Sequence, residues 1–187
     1  GCSNVEPQRE EVFTWKDLPE LPHPSGLSGA FAGVSNGALI VAGGADSPDI
    51  TGWKSESNTW YDSIYVLVDD EQDEWQEGYK LKAPLAYGAS VIRDNSLILI
   101  GGRNAEGNQD QVTRLTWDAE SQMIDQESLP PLPHPVSFID ATLVSDTLFV
   151  AGGKVEAEES KLSKIFWSLN LLNLEAGWNS LDPWDGP

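Results

Sequence analysis

One recurring pattern constrains the fold more than any other feature of the chain. Leu39-Ile40-Val41-Ala42-Gly43-Gly44 returns as Leu97-Ile98-Leu99-Ile100-Gly101-Gly102, and again as Thr147-Leu148-Phe149-Val150-Ala151-Gly152-Gly153. Each copy is a short apolar run closed by two glycines, which reads as a buried strand stopped by a turn. The second glycines stand 58 and 51 residues apart. Self-similarity at a near-constant spacing marks a repeat architecture in which each unit buries its apolar face on the next. The three runs therefore predict the same strand of three successive sheets.

A period near 50 with this signature predicts kelch-type propeller blades of four antiparallel strands. In the first blade, residues 28–37 read as the innermost strand, 38–42 as the second, 63–68 as the third, and Trp75 opens the outer strand. Residues 45–60 form a long polar insertion holding Trp53 and Trp60. In the second blade the strands read as 87–92, 96–100, 111–117 and a fourth starting at Gln122-Met123-Ile124, which lacks the tryptophan. The third reads as 137–144, 147–151, 164–169 and an outer strand at Trp178. Leu18-Pro19-Glu20-Leu21-Pro22-His23-Pro24 and Leu129-Pro130-Pro131-Leu132-Pro133-His134-Pro135 are matching proline-rich connections. The organisation expected is a polar tether over residues 1–11, then blades over about 19–80, 81–128 and 129–180. The alternating stretch 12–18, with Trp15, is expected to complete a closing blade.

Composition narrows the partners. With 30 acidic and 11 basic residues among 187, the formal charge is -19, which argues against nucleic acid and anionic membrane surfaces. No 18-residue apolar run is present to span a bilayer as a helix. Cys2 is the only cysteine, so no intrachain disulfide is expected. Gly1-Cys2-Ser3-Asn4 resembles the cut site of a bacterial lipoprotein. That implies lipidation of Cys2 and a periplasmic or surface-attached protein; the alternative is an accidental cysteine behind a residue left by expression. The acidic segment 69–74 matches no calcium-loop spacing and reads as an exposed turn.

The run Gly29-Ala30-Phe31-Ala32-Gly33-Val34-Ser35-Asn36-Gly37-Ala38-Leu39-Ile40-Val41-Ala42-Gly43-Gly44-Ala45 resembles the sialic-acid mutarotase (N-acetylneuraminate epimerase) family, most of all its cyclically permuted branch. The resemblance continues at Asp62-Ser63-Ile64, at Ala86-Tyr87-Gly88-Ala89-Ser90 and at Asn95-Ser96-Leu97-Ile98-Leu99-Ile100-Gly101-Gly102, spanning about residues 26–102. It implies an all-β, six-bladed kelch-type propeller that interconverts sugar anomers, of which about three blades are present here. Three blades leave open edges, expected to be covered by the remainder of a longer ring or by a second copy as a homodimer. The family's glutamate and arginine precede the Phe-Ala-Gly motif; here Glu20 stands in that segment with no arginine after it. Leu85 replaces an arginine of the family and Arg103 replaces a glutamate. No residue is therefore carried over as catalytic, and the chain alone is expected to be inactive.

An acidic sugar or glycan needs a cation for its carboxylate and hydrogen-bonding groups for its hydroxyls. Arg103, just past the second glycine pair, is the candidate cation, with Arg93 and Arg114 as further options. Tyr87 at the start of an inner strand, Asp62 before a third strand, and Trp60 as a stacking ring complete the ligand candidates. Each has a structural alternative: Tyr87 packed between blades, Asp62 capping a turn, Trp60 anchoring its loop. His23 and His134 sit between prolines at matching places and read as part of the repeat; no metal ligand set or cofactor is expected. A kelch module that binds protein or glycan without chemistry is the competing function.

Overall fold

The computed structural model describes residues 15–46, 59–68, 74–155 and 163–182. Among them every strand pairing is antiparallel, and the strands form three four-stranded sheets in succession. The first contains β1 (Phe31–Ser35) and β2 (Ala38–Ala42); a two-residue ribbon, β3 (Ala45–Asp46) with β4 (Thr59–Trp60), intervenes before β5 (Ser63–Leu67) and β6 (Gln76–Lys80). The second contains β7 (Ala89–Arg93) and β8 (Ser96–Ile100), the ribbon β9 (Arg103–Asn104) with β10 (Gly107–Asn108), then β11 (Val112–Asp118) and β12 (Met123–Leu129). The third contains β13 (Ser137–Val144), β14 (Thr147–Lys154), β15 (Phe166–Asn170) and β16 (Trp178–Ser180), with a short 3-10 turn at Leu174–Ala176. In each sheet the strands lie side by side in chain order, an arrangement consistent with part of a propeller.

The hairpins that open the first two sheets follow from turn chemistry. Asn36-Gly37 takes φ of 45° and 80°, and Asp94-Asn95 takes 48° and 58°, the doubly positive geometry that two-residue hairpins favour. The glycine pairs are equivalent by bonding. Gly43, Gly101 and Gly152 donate their N–H to the carbonyls of Ser63, Gln111 and Ile165, each on the approach to the third strand. Gly44 and Gly102 donate forward, to Leu85 and Val136 of the connection into the next sheet. Backbone hydrogen bonds thus tie each unit to its successor at the place where the sequence repeats. The third pair differs in one respect: Gly152 and Gly153 lie inside β14, because Ser137 pairs with Lys154 and Ile139 with Gly152.

The core lies between sheets. Ile40, Ile64 and Val66 of the first meet Leu97, Leu99, Leu115 and Trp117 of the second. On its opposite face the second turns Ile98, Ile100 and Val112 toward Leu148, Val150, Trp167 and Leu169 of the third. β8 is consequently buried at all five positions, its alternate side chains serving two different interfaces. That explains why its sequence is apolar without alternation, as in a strand covered on both faces. Full burial of each such leucine or isoleucine contributes about 1.5–3 kcal/mol, so the interfaces hold the stack together.

Outside the sheets, the expected strand at 12–18 is described only from Trp15. Trp15 to Leu18 lie outside the strands assigned among the described residues, and Trp15 is 98% exposed; residues 12–14 lie outside the described residues. The two proline-rich connections do repeat a contact. Trp75 donates its indole N–H to the Pro19 carbonyl at 3.0 Å, and Trp178 donates to Pro130 at 2.9 Å.

Candidate functional site

The first strands of consecutive sheets pack against each other, β1 on β7 and β7 on β13. Just before the first two of these strands and at the start of the third, the backbone makes a ladder between sheets. Tyr87 N–H donates to Gly29 O at 2.9 Å, and Phe138 N–H donates to Tyr87 O at 2.7 Å. Gly29, Tyr87 and Phe138 are 58 and 51 residues apart, the spacing of the glycine pairs, and all three have positive φ: 65°, 58° and 55°. For aromatic residues this conformation is an outlier, of the kind that concentrates at functional sites and costs about 1–3 kcal/mol. Here the inter-sheet hydrogen bonds and ring packing hold it. The Tyr87 ring lies where a β-carbon on Gly29 would project, and it stacks on Phe138 with centroids 5.0 Å apart and planes 28° from parallel.

Three of the four sequence-derived ligand candidates gather beside this ladder. Trp60 meets Tyr87 edge to face with centroids 6.0 Å apart. Arg103 places its guanidinium carbon 5.9 Å from the centre of the Trp60 ring, within cation–π range. The ribbons account for the meeting: Ala45 pairs with Trp60 in one, and Ala86 pairs with Arg103 at the root of the next. Arg103 makes no ion pair with a described carboxylate, and its Nε is buried without a hydrogen-bond partner among the described residues. The fourth candidate is held elsewhere. Asp62 accepts from Lys80 Nζ at 3.3 Å across the β5–β6 end of the sheet.

Two residues of the cluster escaped the reading of the sequence. Phe138 is the stacking partner of Tyr87, and Lys154 places its ammonium 5.4 Å from the centre of the Phe138 ring. Their signal was available, because Phe138 and Lys154 each stand 51 residues after Tyr87 and Arg103. The other arginines are engaged in structure. Arg93, its side chain only 11% exposed, bonds Asp146 at 2.7 Å and lies 3.2 Å from Asp94. Arg114 pairs with Glu127 at 2.8 Å on adjacent strands. His23 lies edge-on to Tyr61 and Tyr65, and His134 lies edge-on to Trp167. Tyr65 and Trp167 pair with the matching residues Val41 and Val150 of the second strands, so the two histidines play the same packing part. No group of three metal-ligating side chains occurs among the described residues. Cys2 and Trp53 lie outside the described residues.

Fold and site together define an all-β protein of tandem four-stranded sheets, with aromatic rings and a cation gathered at the start of their first strands. Residues 3–124 match the family model of N-acetylneuraminate epimerase, and the chain belongs to that family. An N-acetylneuraminate epimerase of Yersinia enterocolitica is 35% identical over 119 residues, covering 55% of this chain and 30% of that protein. One from Salmonella arizonae is 38% identical over 112 residues, covering 52% of this chain and 28% of that protein. The chain thus spans under a third of the length of these curated relatives. The solved structure of YjhT superposes with a TM-score of 0.67 over 93% of this chain and 57% of that one; at 16% identity the likeness is one of fold.

Proposed function

We propose that this chain is part of a kelch-type β-propeller whose Trp60, Tyr87 and Arg103 bind an acidic sugar of the N-acetylneuraminate class. The single observation that carries this reading is the meeting of those three side chains beside the inter-sheet ladder. An arginine with no described acidic partner is suited to a sugar carboxylate, which it meets through charge-assisted hydrogen bonds. Flanking rings offer an apolar wall to the face of a pyranose. In this reading the complete ring interconverts the anomers of the sugar, and the faces of the first and third sheets that meet no sheet here are covered by further blades. This chain alone supplies binding without the proton donor and acceptor that anomer exchange needs.

Binding without chemistry is the second reading, and one observation favours it. Asp62 is occupied by Lys80, and no described carboxylate pairs with Arg103. Saturation-transfer NMR on N-acetylneuraminate separates the two when applied to this chain and to the longest natural chain containing it. Faster anomer exchange in the longer chain supports the mutarotase; binding with no acceleration in either supports the module without chemistry. Acceleration by this chain alone would contradict the assignment of the acid and base to other blades.

A further inference from the structure

The repeat brings a second cation to the ring cluster. Ser28 bridges Ala45, Ala86 bridges Arg103, and Ser137 pairs with Lys154, so positions 45, 103 and 154 are one place in three successive units. Each stands 16 residues after a member of the inter-sheet ladder: Gly29, Tyr87 and Phe138. The first unit has neither ring nor charge at these two places. The second and third units each have both.

Each cation is met from the unit before it. In the ribbons, Trp60 pairs with Ala45 and Asn108 pairs with Arg103. Trp60 supplies the ring beside the Arg103 guanidinium. Asn108, only 9% exposed, donates its side-chain amide to the Lys154 carbonyl at 2.8 Å and accepts from the Ser137 hydroxyl at 2.8 Å. These bonds fix the Lys154 backbone near Phe138, whose ring centre lies 5.4 Å from the Lys154 ammonium. Ring contacts join the two cations without a break, Trp60 to Tyr87 at 6.0 Å and Tyr87 to Phe138 at 5.0 Å between centroids.

A single carboxylate occupies one of these cations through charge-assisted hydrogen bonds. A ligand that uses the whole series carries a second anion, with apolar surface between the two for the rings. Two carboxylated pyranoses in glycosidic linkage have that form, with one charge on each sugar. We propose that this site takes a pair of linked acidic sugars, one carboxylate meeting Arg103 and the other meeting Lys154. The inference rests on the acidic-sugar reading of the same site and adds to it a second subsite, supplied by the third sheet.

The test is an NMR titration of the chain with three ligands. These are N-acetylneuraminate, its glycosidically linked dimer, and N-acetylneuraminate linked to galactose, which has two sugars but one carboxylate. The dimer is expected to bind about tenfold more tightly than the other two. Lys154→Gln is expected to remove that advantage and to leave the affinity for the single sugar unchanged. Lys154→Arg keeps the charge and is expected to keep the advantage. Arg103→Gln is expected to weaken all three ligands. Equal affinity for the single sugar and the dimer in the parent chain would overturn the inference, whatever the variants do. So would a galactose conjugate that binds as tightly as the dimer, or a folded Lys154→Gln that still prefers the dimer. Single-sugar binding that needs Arg103, with no gain from the dimer, would sink the second subsite and leave the sugar reading standing. Failure of all three ligands to bind would sink both.

Discussion

Tyr87 donates its backbone N–H to the carbonyl of Gly29, and its ring occupies the space that a side chain at position 29 would need. Gly29 has a φ of 65°, where only glycine is free of strain. Gly29→Ala is therefore expected to lower stability by about 1–3 kcal/mol, through strain and displacement of the Tyr87 ring. Gly26→Ala is the control, since a β-carbon there meets nothing within 4 Å. Denaturant unfolding of both variants checks this; equal stability would remove the ladder from the account.

The ladder also shows where the sequence stops being legible. The three apolar runs with their glycine pairs could be read because burial on one or both faces writes itself into consecutive residues, as in β8. The outer tryptophans were legible as repeats, although their indole partners, Pro19 and Pro130, lie 56 and 48 residues away. Positive φ at Tyr87 and Phe138 was not legible, because nothing in an aromatic residue announces it; inter-sheet bonding imposes it. Trp60, Tyr87 and Arg103 were each legible as candidates, while the pairing of Asp62 with Lys80 was not, because the two residues lie 18 apart and meet only through the β5–β6 pairing.

The two sheet junctions use different chemistry at one repeated place. Ser35 donates its hydroxyl to Asn95 O and accepts from Trp117 N–H at 2.9 Å, fully buried. Arg93, one repeat later, reaches Asp146, one repeat after Asn95. Ser35→Ala leaves a buried N–H unpaired and is expected to cost about 1–3 kcal/mol at any salt concentration. Arg93→Met is expected to cost about 1 kcal/mol in dilute buffer and less in molar salt, because Asp94 is largely exposed and Asp146 about half exposed. Unfolding curves at two ionic strengths separate these; a salt-dependent Ser35→Ala would contradict the assignment.

Trp178 and Trp75 hold the proline-rich connections with one hydrogen bond each. Replacing either with phenylalanine keeps most of the apolar contact and removes the donor, so each is expected to cost about 0.5–1.5 kcal/mol. The double variant is expected to be additive, because the residues serve different sheets. Strong coupling in a double-mutant cycle would show that the two connections do not act separately.

Asp118 has its carboxyl held below the ordinary value, first by the Ser121 hydroxyl at 2.7 Å and then by the N–H groups of Glu120 and Ser121. A carboxylate depressed in the folded state stabilises above its unfolded pKa, and this stability is lost as pH falls through the folded value. Ser121→Ala is expected to raise the Asp118 pKa toward the ordinary carboxylate value and to leave the hairpin intact. A carbonyl-carbon NMR titration reads this directly, and an unmoved titration would refute the assigned cause.

The central claim is that Arg103 receives the carboxylate of an acidic sugar beside Tyr87 and Trp60. Titrating N-acetylneuraminate into the chain, followed by saturation-transfer difference NMR, tests it most directly when repeated with Arg103→Gln. Saturable binding that weakens at least about tenfold in Arg103→Gln is predicted, the loss of one charge-assisted contact being worth roughly 1.5–3 kcal/mol. No binding to the parent chain, or an affinity indifferent to Arg103, would contradict it.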